Sequence, residues 1–280
     1  MTSHSHSVNP PRVLCAVVTY NEVFDQTAVA RSLANLPERW RRRIEICCAE
    51  NEGPRRCDQP RSAVRSRHEL EGMPVLKIET GCNGGLALGY NLAVPELLRS
   101  ACEYILFLNS DAVVTEQLLD GFDEAATRSA AQPVAALAPM LTSAGRTVSP
   151  FRKAGFRHPF WIISFLFCHR SVFPADFRFP AEYWLDGIDF WLSHDLWSRS
   201  IAVTPIAQQI EHQLSVAQQF GSIPGWRYRN IIASELRFHR RHGNGARAAT
   251  VVVLRAACRC LLGGRADLLP QIWRSIGEAK

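Results

Sequence analysis

Apolar segments of strand length alternate with helix-like segments through the first half of the chain. The helical patterns cover about 25–36, 86–100 and 116–129. The apolar runs between them are Val13–Thr19, Ile44–Ala49, Val75–Ile78, Tyr104–Leu108 and Val134–Pro139. Strands that alternate with helices in this way form βαβ units, whose strands lie parallel in one sheet. The sequence therefore predicts an α/β fold with a mainly parallel sheet flanked by helices.

The length of 280 residues suits one large α/β domain with a helical appendage. We expect a disordered lead-in over 1–11 and a main domain over 12–242, with one half at 12–140 and the other at 141–242. The segment 52–72 is expected to be a surface loop. In the less regular second half we expect a strand at Ile162–Cys168, a helix at Ile188–Arg199 and a short strand at Ile201–Val203. A hinge at 242–245 would precede a C-terminal helical segment, 243–280.

The chain has a formal charge of +6 and a pI near 9.0, which favours anionic partners such as nucleotide diphosphates, membranes or nucleic acid. The basic stretches lack interleaved aromatic residues and there is no helix-turn-helix or zinc motif, so a nucleic-acid partner is disfavoured. Neither a Gly-x-Gly-x-x-Gly sequence nor a P-loop is present, which argues against a dinucleotide oxidoreductase.

The nine cysteines show no zinc-like pairing, and most are expected to be small buried side chains in a reducing cytoplasm. The N-terminus is polar, and the longest apolar run, 160–168, is about half of the roughly 20 residues that span a bilayer. We therefore predict a cytoplasmic protein. Segment 248–276 mixes leucines and valines with arginines. It could rest on the inner face of a membrane, pack on the domain or form a homodimer, and all three readings stay open.

Polar residues follow four of the predicted strands at the points where the strands end. The carboxyl ends of parallel strands share one edge of a sheet, where α/β proteins bind ligands, so these residues would line a single cleft. Glycines that open a helix there allow close backbone approach to phosphate or ribose oxygens, although a tight turn is an equal explanation. The residues are Thr19, Tyr20 and Asn21; Glu50 and Asn51; Asn83, Gly84 and Gly85; and Asn109, Ser110 and Asp111.

Four residues in chain order suggest metal-assisted transfer from a phosphorylated donor. Asp111, at the end of an apolar strand, can hold a hard divalent cation that keeps open positions for phosphate oxygens. Asp186 and Asp189 stand among aromatic residues, where partial desolvation raises the pKa of a carboxylate and makes it a competent general base. Either could instead cap the helix that follows. His212 could complete the metal set with Asp111.

Together these clusters resemble the family-2 glycosyltransferases of the GT-A fold, in their rhamnosyltransferase-like branch, over about Val13 to His242. Thr19-Tyr20-Asn21 resembles the opening nucleotide-contacting segment, and Glu50-Asn51 is similar to an Asp-Asn pair that holds the nucleoside. The other matching pieces are Asn83-x-Gly85 with Asn91, Asn109-Ser110-Asp111 at the Asp-x-Asp metal motif, Asp186-Gly187-Ile188-Asp189 at the acceptor-side acidic motif, His212 at the late metal histidine, and Arg229-Asn230 at an Arg-Asn pair.

The resemblance implies an inverting transfer of a sugar, with rhamnose as a candidate, from a nucleotide-diphosphate sugar to an acceptor hydroxyl on a glycan or lipid-linked saccharide in polysaccharide biosynthesis. Residues 12–140 would bind the nucleotide sugar and 141–242 the acceptor. Asp111 and His212 would hold Mg²⁺ or Mn²⁺, and Arg229 would clamp the diphosphate. Asp186 is the first choice for the base and Asp189 the second.

The chain departs from the family pattern at three places. Asn109 replaces the first acid of the metal motif, Glu50 replaces an Asp, and Trp191 and Asp195 follow Asp189 where the family often has Glu and then Arg. These changes leave a catalytically silent sugar-nucleotide or glycan-binding relative as the alternative function.

Overall fold

The computed structural model describes residues 10–60, 63–128, 133–153, 155–212, 220–243 and 245–279. Most of the expected lead-in, 1–11, lies outside these residues, as do Ser129 at the end of one expected helix and Asn244 in the expected hinge.

The described residues form one nine-stranded sheet. β1, β2, β4 and β5 are parallel neighbours, and β6 and β9 run in the same direction, whereas β3, β7 and β8 run antiparallel to their partners. Six of these nine strands therefore share one direction, which confirms the predicted α/β class with a mainly parallel sheet. The strands are β1 (Val13–Tyr20), β2 (Ile44–Asn51), β3 (Val64–Leu70), β4 (Met73–Glu79), β5 (Tyr104–Asn109), β6 (Ala136–Ser143), β7 (Arg146–Ser149), β8 (Phe167–His169) and β9 (Val203–Glu211).

Helices cover the sheet, and the last three form a separate layer that confirms the predicted C-terminal helical part. Short 3₁₀ turns lie at 24–26, 170–172, 181–183, 220–222 and 266–268. The α-helices of the described chain are α1 (Ala28–Ala34), α2 (Glu38–Arg41), α3 (Gly85–Arg99), α4 (Glu116–Thr127), α5 (Ile188–Ser198), α6 (Gly225–His242), α7 (Gly245–Leu262) and α8 (Leu269–Glu278).

The central strands are apolar without alternation because both of their faces are covered. In β1, Val13, Cys15 and Val17 enter one core cluster, while Leu14 and Ala16 enter the cluster on the opposite face. Side chains along a strand alternate between faces, so a strand buried on both sides must be apolar at every position. This double burial explains why the central strands could be predicted from the sequence.

At the far edge of the sheet, β9, from late in the sequence, pairs with β6 and runs in the same direction as β1, β2 and β5. β6 pairs along one edge with β9 in parallel, and along its other edge with β8 and then β7. Because β9 runs in the same direction as β1, β2 and β5, the residue that follows it reaches the same edge of the sheet as the residues that follow those strands. His212 is that residue, and its amide bonds the carbonyl of Thr142 at 2.8 Å.

Several element boundaries differ from the sequence predictions. The expected loop 52–72 contains β3, an exposed edge strand whose charged residues hide the apolar pattern. Only Phe167 and Cys168 of the expected strand 162–168 belong to a strand, the short β8, because Phe165 takes a left-handed φ of 69°. The predicted short strand at 201–203 is instead the nine-residue β9, and the helix expected over 25–36 is a 3₁₀ turn followed by α1, which Thr27 caps rather than Asp25.

The cysteines, all of which lie in the described part of the chain, follow the prediction in most cases. Six are free and buried, Cys258 is free and exposed, and Cys57 and Cys82 form a disulfide between the 52–60 loop and the start of α3. Since disulfides rarely persist in a reducing cytoplasm, the cytoplasmic localisation stays a prediction.

Candidate active site

A cavity of about 450 Å³ opens at the carboxyl edge of the sheet and collects the main candidate residues. Its wall includes side chains from β5 and β7, from Phe151 and residues 162–164, from the start of α5, from the residue after β9 and from α6 and α7. The polar and charged members are Asn109, Asp111, Ser164, Asp186, Asp189, His212, Arg227 and Arg259. Asp111, Asp186, Asp189 and His212, which are widely separated in sequence, therefore line one common cavity.

Asp111 and His212 both line this cavity and interact electrostatically. Asp111 is exposed, whereas the His212 side chain is buried and packs edge-on against the Phe165 ring, with 5.5 Å between ring centroids. Burial lowers the pKa of His212, and the charge of Asp111 opposes that shift in part. His212 is consequently neutral near pH 7, which is the form that binds metal ions.

Asp186 is fixed by two residues of α6. Its Oδ1 lies 3.2 Å from an Arg227 Nη2, and its Oδ2 accepts a hydrogen bond from Asn230 Nδ2 at 2.5 Å. Burial raises the pKa of Asp186, although Arg227 and the bond from Asn230 act in the opposite direction. Both carboxylate oxygens are therefore occupied, and the main effect of Asp186 in this state is to hold α6 against the loop before α5.

Asp189 is the less restrained of the two acids. One oxygen accepts the amide of Ile163 at 2.8 Å, and the side chain lines the cavity from the first turn of α5. Burial raises the pKa of Asp189 to about 6; Asp186 adds to this shift, while the Ile163 bond and Lys153 oppose it. Gly187 occupies the N-cap position with a φ of 89°, so neither carboxylate is the N-cap residue of α5.

The polar residues at the end of β2 hold neighbouring loops. Glu50 accepts the amide of Phe24 at 2.9 Å and pairs with Lys77 at 2.9 Å. Asn51 is buried, accepts the amide of Gly84 at 3.1 Å and donates to the carbonyl of Gly85 at 3.1 Å. These two residues lie at the predicted edge of the sheet but not on the wall of the cavity.

The glycine pair at the start of α3 allows the backbone there to pack closely against Trp184, which belongs to the second half of the chain. Gly85 has a φ of 63°, and a β-carbon there would lie 2.2 Å from the carbonyl oxygen of Trp184. The indole of Trp184 donates to the carbonyl of Asn83 at 3.0 Å, and the amide of Ala87 donates to the carbonyl of Trp184 at 3.3 Å. The start of α3, where phosphate or ribose oxygens were expected, is thus already bonded to protein.

The last residues of β1 lie in register with those of β2, since Thr19 is opposite Glu50 and Tyr20 is opposite Asn51. Thr19 is buried, whereas Tyr20 is half exposed and its hydroxyl donates to the carbonyl of Gly53 at 3.2 Å. Asn21 accepts the amide of Gly53 at 2.9 Å. All three are at the expected edge, and the exposed ring of Tyr20 is free to stack on a planar group.

Two further candidates lie away from the cavity. Asn91 makes a two-sided bond with the backbone of Phe179, accepting its amide at 2.7 Å and donating to its carbonyl at 2.9 Å. Arg229 points toward α8, where its Nε lies 3.3 Å from Glu278. Positions 227 and 229 diverge on a helix, and Arg227 is the one that faces the cavity.

Sequence reasoning missed the basic residues that face the acids. Arg227 and Arg259 line the cavity from α6 and α7, and the guanidinium of Arg259 lies 4.5 Å above the Phe220 ring. Lys153 pairs with Glu235 at 2.6 Å, and both side chains are more than nine-tenths buried. The motif Arg227-x-x-Asn230, in which two residues separate two polar groups on one helix face, is a signal that could have found the partners of Asp186.

Comparison with protein-family models gives no match to this sequence, and comparison with curated proteins gives none either. Among solved structures, the chain is similar to a mannosyltransferase from Pyrobaculum calidifontis in complex with GDP-Man and Mn²⁺, with 15% identity and a TM-score of 0.48 over 98% of this chain and 77% of that one. It is also similar to GalNAc-T7 with UDP, GalNAc and Mn²⁺, with 10% identity and a TM-score of 0.49 over 82% of this chain and 50% of that one. Similarity at this level assigns neither a fold family nor an activity.

Proposed function

We propose that this chain is a metal-assisted glycosyltransferase of the GT-A type, which moves a sugar from a nucleotide-diphosphate sugar to an acceptor hydroxyl. The observation that carries the proposal is the convergence, in one cavity at the carboxyl edge of the sheet, of a carboxylate–imidazole pair and a carboxylate whose pKa is raised to about 6. The carboxylate–imidazole pair would bind a cation that stabilises an anionic leaving group. The carboxylate of raised pKa would remove the proton of the acceptor hydroxyl.

The residues fit Mg²⁺ or Mn²⁺ bound partly by its substrate. The described residues contain no cluster of three potential metal-ligating side chains, and Asp111 with His212 supplies two. Mg²⁺ commonly takes one or two carboxylates together with substrate phosphates and water, so a diphosphate would complete the shell. When bound, the cation would stabilise the charge that develops on the departing diphosphate.

Asp189 is the better placed general base. Its pKa, near 6, lies close to neutral pH, and only one of its oxygens is held by a backbone amide. Asp186 has both oxygens bonded by Arg227 and Asn230, which suits a positioning role. This order reverses the preference drawn from the sequence. A single base that deprotonates the acceptor for direct displacement would give inversion at the anomeric carbon.

Arg259 replaces Arg229 as the proposed contact for the donor diphosphate, because its side chain lines the cavity that contains Asp111. Tyr20 and Asn21, along the same edge of the sheet, are the proposed nucleoside side. Within this proposal, the resemblance supports a family-2, rhamnosyltransferase-like enzyme, with rhamnose as the sugar and a glycan or lipid-linked saccharide as the acceptor.

The test begins with a thermal-shift panel of nucleoside diphosphates with and without Mn²⁺. We expect stabilisation by one diphosphate that requires the cation and that Asp111→Asn abolishes. Turnover with the matching donor should then be lost in Asp189→Asn while donor binding survives. Asp195→Asn is the matched control, because Asp195 also lies on α5 but pairs with Arg199 at the end of the helix away from the cavity. This variant should retain turnover. Full turnover in Asp189→Asn would refute the mechanism.

A catalytically silent binding relative is the second candidate. It is favoured by Asn109, which stands in place of a metal-binding acid and whose side chain accepts the hydroxyl of Tyr90 at 3.4 Å. Donor hydrolysis distinguishes the two functions, because a silent relative would bind the diphosphate sugar with Mn²⁺ present yet release no free sugar.

A further inference from the structure

The side of α7 that faces away from the protein is apolar. We call Val251, Leu254, Cys258, Leu261 and Leu262 the outer face. Leu262 is 91% exposed, Leu261 61% and Leu254 59%, and Val251 and Cys258 are exposed as well. At 100° per residue these five positions fall within about one-third of the helix circumference. The outer face is therefore one continuous stripe rather than a set of scattered side chains.

The outer face does not contribute to the packing of the helical layer. The opposite side of α7 is buried through Val252, Ala256 and Cys260, which join α6 and α8 in the third core cluster. Apolar residues on the outer face are thus not explained by the stability of the described fold, and an exposed apolar stripe of this kind usually marks a binding surface.

The helical layer also holds the whole net positive charge of the chain. Residues 225–279 contain ten arginines and three acids, Glu235, Asp267 and Glu278, which gives +7. Since the full chain has 32 basic and 26 acidic residues, the remainder has a net charge of −1. From 236 to 266, which includes all of α7, there is no acidic residue at all.

We propose that the outer face of α7 binds an anionic lipid bilayer, with its leucines in the interfacial region and the surrounding arginines against the headgroups. A surface helix with an apolar stripe and a basic surround lies in the membrane plane in this manner. Arg247 and Arg274 are exposed and pair with no acid among the described residues, so their charges are available. Within the described part of the chain, no helix has the length and apolar character needed to cross a bilayer.

Charge is the reason for choosing a bilayer over a second copy of this chain. A symmetric dimer through the outer face would bring two identical surfaces together, and each surface belongs to a layer of charge +7. This arrangement opposes like charges, whereas an anionic bilayer neutralises them. Arg259 lies on the exposed side of α7 and also lines the candidate active-site cavity, so the bound membrane would lie about one helix diameter from that cavity. Membrane binding itself does not depend on the proposed catalytic function.

The experiment is flotation of the full chain with phosphatidylcholine vesicles, with and without phosphatidylglycerol. We expect binding only to the anionic vesicles, and weaker binding as salt rises from about 0.1 to about 0.5 M. Leu261→Ser with Leu262→Ser should lower the partition coefficient at least about tenfold. Arg247→Gln with Arg274→Gln should lower it about fivefold for each charge removed.

The matched control is Val64→Ser with Met140→Ser, which removes two exposed apolar side chains from the sheet and should leave binding within about twofold. Circular dichroism confirms that each variant is folded. Three outcomes would overturn the proposal: a folded wild-type chain that stays with the soluble fraction, equal binding to neutral vesicles, or a concentration-dependent dimer that the leucine variant abolishes in the absence of lipid.

Discussion

Replacing Asp189 by Asn should stabilise the protein at neutral pH while abolishing the proposed turnover. The pKa of this carboxyl is raised from an ordinary 3.8 to about 6, chiefly by burial. The folded state therefore binds a proton that the unfolded state has released between these two pH values, and the contribution of Asp189 to stability falls as pH rises through that window. The neutral amide removes this cost, and its oxygen can still accept the amide of Ile163.

The size of the effect follows from the shift. At 1.36 kcal/mol per pKa unit, ionisation of Asp189 costs about 3 kcal/mol at pH 8 and about 1 kcal/mol at pH 4.5, before any relaxation of the cavity. Urea unfolding of the wild type and of Asp189→Asn at both pH values measures it. Comparing the two chains at each pH cancels the titration of the buried histidines.

Asp195→Asn is the control for the loss of a negative charge on α5, because its carboxylate pairs with Arg199 in a solvent-accessible position. It should destabilise the protein by at most about 1 kcal/mol at either pH. The reasoning is refuted if Asp189→Asn lowers the free energy of unfolding at pH 8, or if its effect is the same at pH 4.5 and pH 8.

Three further changes test other parts of the structure. In Gly85→Ala, the new β-carbon would lie 2.2 Å from the carbonyl oxygen of Trp184, and the residue would keep a positive φ, so the free energy of unfolding in urea should fall by more than about 3 kcal/mol. Gly145→Ala is the control: it has a φ of 73° but no described atom within 4 Å, and its free energy of unfolding should fall by about 1 kcal/mol. Lys153→Met leaves Glu235 buried with an arginine and a histidine still beside it, so the free energy of unfolding should fall by about 2–3 kcal/mol; no loss would mean that the pair is dispensable. Burial lowers the pKa of His158 to about 4, so the contribution of His158 to stability is lost as pH falls from 6.5 toward 4. Relative to the wild type, His158→Phe should therefore raise the melting temperature more at pH 4.5 than at pH 8. An equal effect of the substitution at the two pH values would contradict this.

The central strands β1, β2 and β5 were predictable because their burial on both faces leaves a continuous apolar signature. β3 was missed because most of its residues are exposed and polar or charged. This composition is typical of an edge strand, but in the sequence it resembles a loop. β9 was shortened to 201–203 because its later residues include two glutamines, Gln208 and Gln209, and its pairing with β6 is decided by contacts about 70 residues apart in sequence.

The candidate site was predictable in its acids and its histidine but not in their partners. Asp111 was predicted from the apolar strand before it, whereas His212 was predicted from its place in chain order and from the resemblance. In the structure both residues follow strands that run the same way. The bonds from Arg227 and Asn230 to Asp186 depend on how α6 packs across the loop before α5, and no local pattern encodes that approach. The same packing turned the preference for the base from Asp186 to Asp189.

The parallel pairing of β6 with β9 has a consequence for the order in which the protein can assemble during synthesis. A ribosome that adds about 5–20 residues per second releases Asp111 roughly 5–20 s before His212. Until then, the nascent chain exposes the edge of β6 that β9 later covers, and no cation-binding pair exists. An unprotected strand edge is a target for chaperones and for aggregation, so the growing chain is vulnerable during this interval, and the proposed cation-binding pair is complete only once His212 has been made.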